Sequence, residues 1–219
     1  MNPKIIVIGN GVVGQVLVSH LRNTELKSES NILIVPVSRE GASYKILDLD
    51  IEKVLEIQKS EVTSHTYLGI GYWQNNRARE ELALQLKDLG VRLDTFISDR
   101  ALVSAESKIE NNVLVMPGAT LEPFSSVKEG SIVWSGAHVS HHAEIGTFCF
   151  VSSSAVISGS AIMGSRTFVG SNATIFDKIQ VGPDSIIGAG SIVRHDCDPQ
   201  SIVASPSSVV TICADAPSI

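Results

Sequence analysis

From Val103 to Val193 every sixth residue is a mid-sized aliphatic or a methionine. The series runs Val103, Ile109, Val115, Leu121, Val127, Val133, Val139, Ile145, Val151, Ile157, Met163, Val169, Ile175, Val181, Ile187 and Val193. Two positions before each stands a mostly small residue, as in Ala119, Ser125, Ser131, Ala137 and Ala143, with Val113 and Ile179 the larger exceptions. A period of six matches neither the turn of an α-helix (about 3.6 residues) nor the strict alternation of a hairpin meander. It predicts a solenoid of short parallel strands in which each hexad forms one flat side of a triangular coil. The aliphatic fills the interior, and the small residue is expected to let the backbone turn the corner.

The first part of the chain patterns differently. Ile5-Ile6-Val7-Ile8 reads as a buried strand closed by Gly9-Asn10-Gly11-Val12-Val13-Gly14, and a helix follows with Val13, Val16, Leu17 and Leu21 on one face. Ile32-Leu33-Ile34-Val35 predicts a second strand, and Asp50 is placed to cap a short helix through Ile51, Val54, Leu55 and Ile57. Thr66 to Gly71 predicts a further strand ending in a glycine turn. Asn75 or Asn76 then opens a helix from about Arg77 to Leu89, with Leu82, Leu86 and Leu89 as its apolar face and Gly90 as its stop. Strands alternating with helices imply a small parallel sheet with its loops at the strand ends. The expected organisation is an α/β domain over residues 1–96, a solenoid over 97–206 and a loose tail over 207–219. Past Arg194, Asp196-Cys197-Asp198-Pro199-Gln200 breaks the hexad phase, and the segment from Ser201 is expected to close the coil end, where open strand edges need covering.

Composition narrows the function. The chain has 219 residues, 43% hydrophobic and 18% charged, so it has ample length for a core. Aromatic content of only 5% suits a narrow interior that admits Val, Ile and Ala. A net charge of −6 argues against a nucleic-acid binder, whose affinity rests on clustered Lys and Arg. Cys149, Cys197 and Cys213 show no metal-ligand spacing, and their odd number fits a reducing compartment. The apolar run after Met1-Asn2-Pro3-Lys4 is too short for a signal peptide or a membrane span, so a cytoplasmic protein is expected.

The GxGxxG of Gly9 to Gly14 permits a tight turn and lets a phosphate approach the amides of a helix N-terminus. NAD calls for an acidic residue closing the second strand. Pro36-Val37-Ser38 stands there, with Glu40 only beyond it, and the strands are too few for a full dinucleotide fold. Two readings stay open: Gly9, Asn10, Gly11 and the Gly71 turn bind the phosphates or base of a nucleotide, or the loop is only a close strand–helix connection.

An α/β domain followed by in-phase hexads resembles the left-handed β-helix acyltransferases, in particular the nucleotide-aminosugar N-acetyltransferases of surface-glycan pathways and the sialic acid O-acetyltransferases. The resemblance spans nearly the whole chain. It is strongest in the hexads and in Val139-Ser140-His141-His142-Ala143-Glu144-Ile145-Gly146, with support from Gly159, Val169-Gly170, Val181-Gly182 and Ile187-Gly188-Ala189-Gly190. It implies a small Rossmann-like parallel sheet joined to an all-β, left-handed parallel β-helix. It also implies a homotrimer with acetyl-CoA as co-substrate, lying in the groove between adjacent β-helices, and a nucleotide sugar held against the N-terminal domain.

In the family a histidine four residues before an Ile-Gly pair serves as general base, and His141 matches it. An imidazole titrating near neutrality suits the removal of a proton from an attacking sugar amine and its delivery to a leaving thiolate. The resemblance places a backbone oxyanion donor around Gly159 and sets Gly188, Ala189 and Ser171 along the CoA groove. Two departures are plain: His142 stands where relatives carry a Glu that orients the base, and Phe150 replaces a second histidine of the thioester region. His141 and His142 are the candidate catalytic pair, Phe150 counts with the cofactor groove, and no metal is expected.

Of the remaining residues, His138 and Trp134 are expected to point outward, Trp134 beneath a neighbouring subunit, and Cys149 to be packing. Three alternatives remain. Transfer to a sugar hydroxyl, as in sialic acid O-acetylation, keeps the chemistry. A non-catalytic nucleotide-sugar-binding scaffold drops it. A zinc anhydrase of the same fold needs a widely separated first histidine that has no match here.

Overall fold

The computed structural model describes residues 5–22, 32–41, 43–46, 48–60, 64–72 and 74–205. The expected tail, and the closing segment from Pro206 onward, lie outside them.

The N-terminal domain is built on β1 (Ile5–Ile8), all four residues of which are buried. It lies at the centre of a parallel sheet between β2 (Ile32–Val35) and β5 (His65–Leu68), with Ile5 opposite both Ile32 and His65. A strand covered on both faces carries apolar residues without alternation, which is why this run reads so clearly. Helix α1 (Val12–Arg22) buries Val13, Leu17, Val18 and Leu21 against the sheet. The glycines are packing residues as much as a binding loop. A Cβ on Gly14 would lie 2.0 Å from the Gly9 carbonyl oxygen, one on Gly69 would lie 2.7 Å from the Gly14 Cα, and Gly9 itself has φ +120°.

Two local expectations are corrected and one is met. Helix α2 (Asp48–Ser60) begins before Asp50, which therefore sits in its first turn rather than capping it. Helix α3 (Arg77–Asp88) opens after Asn76 as expected; Asn76 has φ +68°, and its Oδ1 faces Arg79 Nη2 at 3.4 Å rather than capping the helix. Leu82 and Leu86 are buried, whereas Leu89 is exposed at the helix end. A short antiparallel hairpin, β3 (Ser38–Glu40) with β4 (Ser43–Lys45), was not expected; it has no fully buried residue and so no hydrophobic period to betray it.

Eighteen two-residue strands then follow, from β6 (Phe96–Ile97) to β23 (Ile202–Val203). From β6 to β19 (Thr174–Ile175) each pairs in parallel with the strand three later, eighteen residues on, as in His138 opposite Val156 and Val139 opposite Ile157, while at the end of the coil Ile186 lies opposite Ile202. The result is three flat sheets around one narrow core. The first contains Phe96, Leu114, Ile132, Phe150, Phe168, Ile186 and Ile202; the second contains Leu102, Thr120, His138, Val156, Thr174 and Ile192; the third contains Lys108, Ser126, Glu144, Ile162 and Gln180. The hexad aliphatics from Val115 to Val193 form the interior, and only Val103 and Ile109 at the first coil are half-buried. The solenoid starts at Phe96, so the boundary expected after residue 96 falls inside a strand.

The corners work differently from expectation. The small residues Ala119, Ser125, Ala137, Ala143 and Ala155 are fully buried and fill the corner from inside. The left-handed backbone conformation that makes the turn falls one residue earlier, at Gly118, Phe124, Gly136, His142 and Ser154.

The named residues of the three sheets point away from the core, and those of the first sheet are apolar in every coil. The N-terminal domain docks there, burying Phe96, Leu114, Ile132 and Phe150 together with Val13, Leu17 and Tyr67. Each such side chain stabilises the docking by roughly 1.5–3 kcal/mol. Coverage fades along the sheet, and Ile202 is 75% exposed. Trp134 belongs to this same junction: it stacks on Phe150 with centroids 5.7 Å apart and packs against the shared cluster. Within one chain Trp134 is half-buried and also lines the open cavity.

Helix α3 fastens the domain at the corner between the third and first sheets. Buried Arg79 donates from Nη2 to the Cys149 carbonyl at 3.3 Å and lies 5.7 Å over the Phe148 ring; burial brings its pKa down to about 10, so it remains charged. Arg166 grips Asp184 through two nitrogens (2.7 and 3.0 Å) and reaches Glu80 of α3 at 3.0 Å, while Arg77 adds a contact to Asp184 at 3.1 Å. The Arg166 hydrogen bonds, reinforced by the charges of Arg166 and Arg77, hold the Asp184 carboxyl below the usual range. A carboxylate with a depressed folded pKa stabilises fully above its unfolded value and loses that contribution as pH falls through the folded one. Docking of α3 is therefore expected to weaken only below about pH 4, and Arg166→Met to make that acid loss shallower. Hydrogen exchange of the α3 amides against pH reads this, and an unchanged profile in the variant is the contrary result.

Candidate active site

Where the domain meets the first sheet it leaves a cavity of about 720 Å³. One wall is the N-terminal loop with Asn10, Gly11 and Val13, another is Gly69 to Tyr72, and the hairpin contributes Arg39 and Tyr44. The floor is aromatic: Trp134, Phe150 and Phe168 follow one another up the sheet, with Phe150 stacked 5.8 Å from Phe168 and Tyr72 set edge-on to Phe150 at 5.0 Å. Ser152, Ser153, Gly170, Ser171 and Ala189, at the corner between the first and second sheets, form the rim. An apolar floor facing the N-terminus of α1, whose first turn carries no acidic residue, suits a ligand with a planar or apolar part and a phosphate.

The sequence-assigned residues distribute unevenly. Asn10, Gly11 and Gly71 line the cavity, and Asn10 braces its wall by accepting a hydrogen bond from Val37 N–H at 3.4 Å. Gly9 does not line it; it is buried against Gly69 and is a packing residue. Phe150, Ser171 and Ala189, assigned to a cofactor groove, face the same cavity as Asn10 and Gly11. Gly188 lies beneath the last coil, with its N–H donating to the Val203 carbonyl at 2.7 Å, and is not part of the lining.

His141 sits elsewhere, at the corner between the second and third sheets, where four successive coils stack Glu122, His141, Gly159 and Asp177. The His141 N–H donates to Glu122 Oε2 at 2.8 Å, and the other oxygen of Glu122 faces His138 Nε2 at 2.9 Å. These bonds, the one from His141 first, hold the Glu122 carboxyl below its ordinary range. The His141 ring lies flush on Gly159: a Cβ there would come within 2.6 Å of Cε1. That close approach is what the glycine provides. Its N–H, expected to serve as an oxyanion donor, instead donates to Asp177 Oδ1 at 3.0 Å. His142 follows with φ +59°, its Nδ1 facing His141 Nδ1 at 3.3 Å and its ring 5.0 Å from that of Phe124. Cys149 is buried packing, and its thiol is pushed up to about 12.

Glu122 and Asp177 are functional neighbours that hexad reading missed. Counting by eighteen, the length of one coil, places Glu122 beneath Ser140 and Asp177 above Gly159. Neither His141 nor His142 lines the cavity, and the second sheet separates them from it. Among the described residues, no group of three or more His, Cys, Asp or Glu is placed to hold a metal, and no helix is long and apolar enough to cross a membrane.

No protein-family model matches the chain, and no curated protein matches it in sequence. Solved structures do. PerB from Caulobacter crescentus, in complex with CoA and GDP-perosamine, is 24% identical, over 92% of this chain and 94% of that one, with a TM-score of 0.77. A histidine-to-alanine variant of GDP-perosamine N-acetyltransferase from the same organism, with the same ligands, is 23% identical, over 97% and 99%, at a TM-score of 0.77. The acetyltransferase domain of PglB from Neisseria gonorrhoeae is 25% identical, over 90% and 93%, at a TM-score of 0.72. Over some nine-tenths of its length, therefore, this chain has the fold of the hexapeptide-repeat, left-handed β-helix sugar acetyltransferases, N-terminal α/β domain included.

Proposed function

We propose that the protein transfers the acetyl group of acetyl-CoA to the amine of a nucleotide-linked amino sugar, with His141 as general base. The observation that carries this reading is the seating of His141. Its backbone is pinned by Glu122, its ring rests on a glycine chosen by contact, and its Nε2 is the ring nitrogen left to face a substrate. PerB, whose fold this chain shares, holds both CoA and GDP-perosamine. The N-terminal domain and the aromatic cavity take the nucleotide sugar, its phosphates toward α1, and the β-helix carries acyl transfer.

The amine nitrogen attacks the thioester carbon as Nε2 of His141 accepts its proton. The tetrahedral adduct then collapses, the C–S bond breaks, and the imidazolium returns the proton to the departing CoA thiolate. The products are an N-acetyl sugar nucleotide and free CoA.

A homotrimer completes the site. Within one chain the cavity and His141 occupy different corners of the triangle, so the sugar amine reaches His141 only if the corner of one copy faces the cavity of the next. The second sheet between them presents Leu102 and Ile192 to solvent, which supports its burial in such an assembly. The reaction belongs to the cytoplasm, where acyl-CoA and sugar nucleotides are made, and its product suits a glycosyltransferase building surface glycans.

Thiol release from acetyl-CoA in the presence of GDP-, UDP- and dTDP-linked amino sugars is expected to show turnover with at least one. Turnover only with sialic acid or another hydroxyl acceptor assigns O-acetylation, and binding without turnover leaves a scaffold.

A further inference from the structure

This inference rests on His141 as the general base and concerns what orients it. No carboxylate touches its ring among the described residues. Glu122 is engaged by the His141 backbone N–H and by His138, Glu144 points outward from the third sheet, and Asp177 is engaged by the Gly159 N–H. The ring contact that remains is His142, with the two Nδ1 atoms 3.3 Å apart and the rings nearly perpendicular, at 81°. His142 is itself held: its N–H donates to the Pro123 carbonyl at 3.3 Å, and its ring is stacked at a tilt of 37° over Phe124 of the coil beneath.

Two ring nitrogens at this distance form a hydrogen bond only if one carries hydrogen and the other a bare lone pair. A general base accepting at Nε2 carries its hydrogen on Nδ1. The geometry points to His142 as the positioning residue that sets this tautomer: its bare Nδ1 accepts the His141 Nδ1–H, and its own hydrogen resides on Nε2. The arrangement leaves the Nε2 lone pair of His141 facing the amine, and it persists when His141 becomes the imidazolium, which still donates from Nδ1. It requires a neutral His142, so protonation of either imidazole stops the reaction. Glu122 from the coil below, His138 of the same coil and Asp177 from the coil above are the titratable groups that surround the pair.

The solenoid supplies its own folding controls. Asparagine takes the same left-handed turn position at Asn112 and Asn172, and phenylalanine takes it at Phe124 and Phe148. His142→Phe keeps a ring over Phe124 but removes the acceptor. It is expected to lower kcat by about 10- to 100-fold with both KM values nearly unchanged. His142→Asn keeps an acceptor oxygen near the Nδ1 position and does not titrate. It is expected to retain kcat within roughly threefold and to make the acid limb of the kcat profile shallower by about one proton. Nitrogen NMR of the histidine rings in the free protein, which needs no substrate, is expected to show His141 protonated at Nδ1 and His142 at Nε2. Wild-type kcat in His142→Phe, or His141 found protonated at Nε2, overturns the assignment. If the tautomers are as stated but no acceptor turns over, it is the acetyltransferase reading that fails.

Discussion

His141→Ala is expected to lower kcat by roughly 10²-fold or more while leaving the unfolding transition where it is. The two outcomes separate because the side chain and the backbone of this residue do different things. The ring is exposed at an open corner and rests on Gly159, so its removal uncovers a glycine and empties no cavity. The bond that shapes the turn runs from the His141 N–H to Glu122 and survives any side chain with a normal backbone. What is lost is the acceptor for the amine proton, and loss of a general base without loss of binding appears in kcat rather than in KM. Steady-state kinetics beside thermal unfolding tests this. A variant turning over at the wild-type rate removes His141 from the mechanism, and a variant that unfolds early makes it structural.

Gly14→Ala is expected to destabilise the N-terminal domain by about 3 kcal/mol, although alanine is the better helix former. Gly14 lies in the first turn of α1, where its added Cβ would stand 2.0 Å from the Gly9 carbonyl oxygen and 3.3 Å from that of Gly69. Both obstacles are backbone, so the helix must move away from the sheet, losing contacts of Val13 and Leu17. Gly11→Ala, three residues earlier, meets nothing within 4 Å and is expected to change stability by less than about 0.5 kcal/mol. Chemical denaturation followed by a probe in the N-terminal domain distinguishes them. Equal stabilities for the two variants would mean that the loop is kept for ligand contact alone.

The contrast between these glycines shows how far the motif was legible. The sequence announces a glycine-rich strand–helix connection and leaves binding and close packing as alternatives. The structure assigns both, Gly9, Gly14 and Gly69 to packing and Gly11 to the cavity wall, because the decision lies in a contact between Gly14 and a loop more than fifty residues away. The aromatic floor is a different case. Leu114, Ile132, Phe150 and Phe168 recur every eighteen residues, so the one sheet face that needs a cover is written in the chain. A reading by sixes hides it, since two of every three outward positions are polar or unremarkable. Phe150, taken as the replacement of a thioester-region histidine, proves to be part of that face and of the cavity floor.

By itself the sequence determined the parallel solenoid, its inward column and the β1–α1 core. Each depends on spacing along a short stretch of chain, and a hexad that buries its aliphatic makes every neighbour do the same. Only the tertiary structure decided that Glu122 holds the turn of His141, that Gly159 gives its ring a place to lie, and that Trp134 stacks on Phe150 at the junction with the N-terminal domain. It likewise decided that the nucleotide-sized cavity and the candidate base stand on different corners. These depend on which residues one coil sets above another and on how Arg79 and Arg166 fasten α3 to the solenoid. Contacts of that kind join positions distant along the chain through shape and charge, and no local period encodes them.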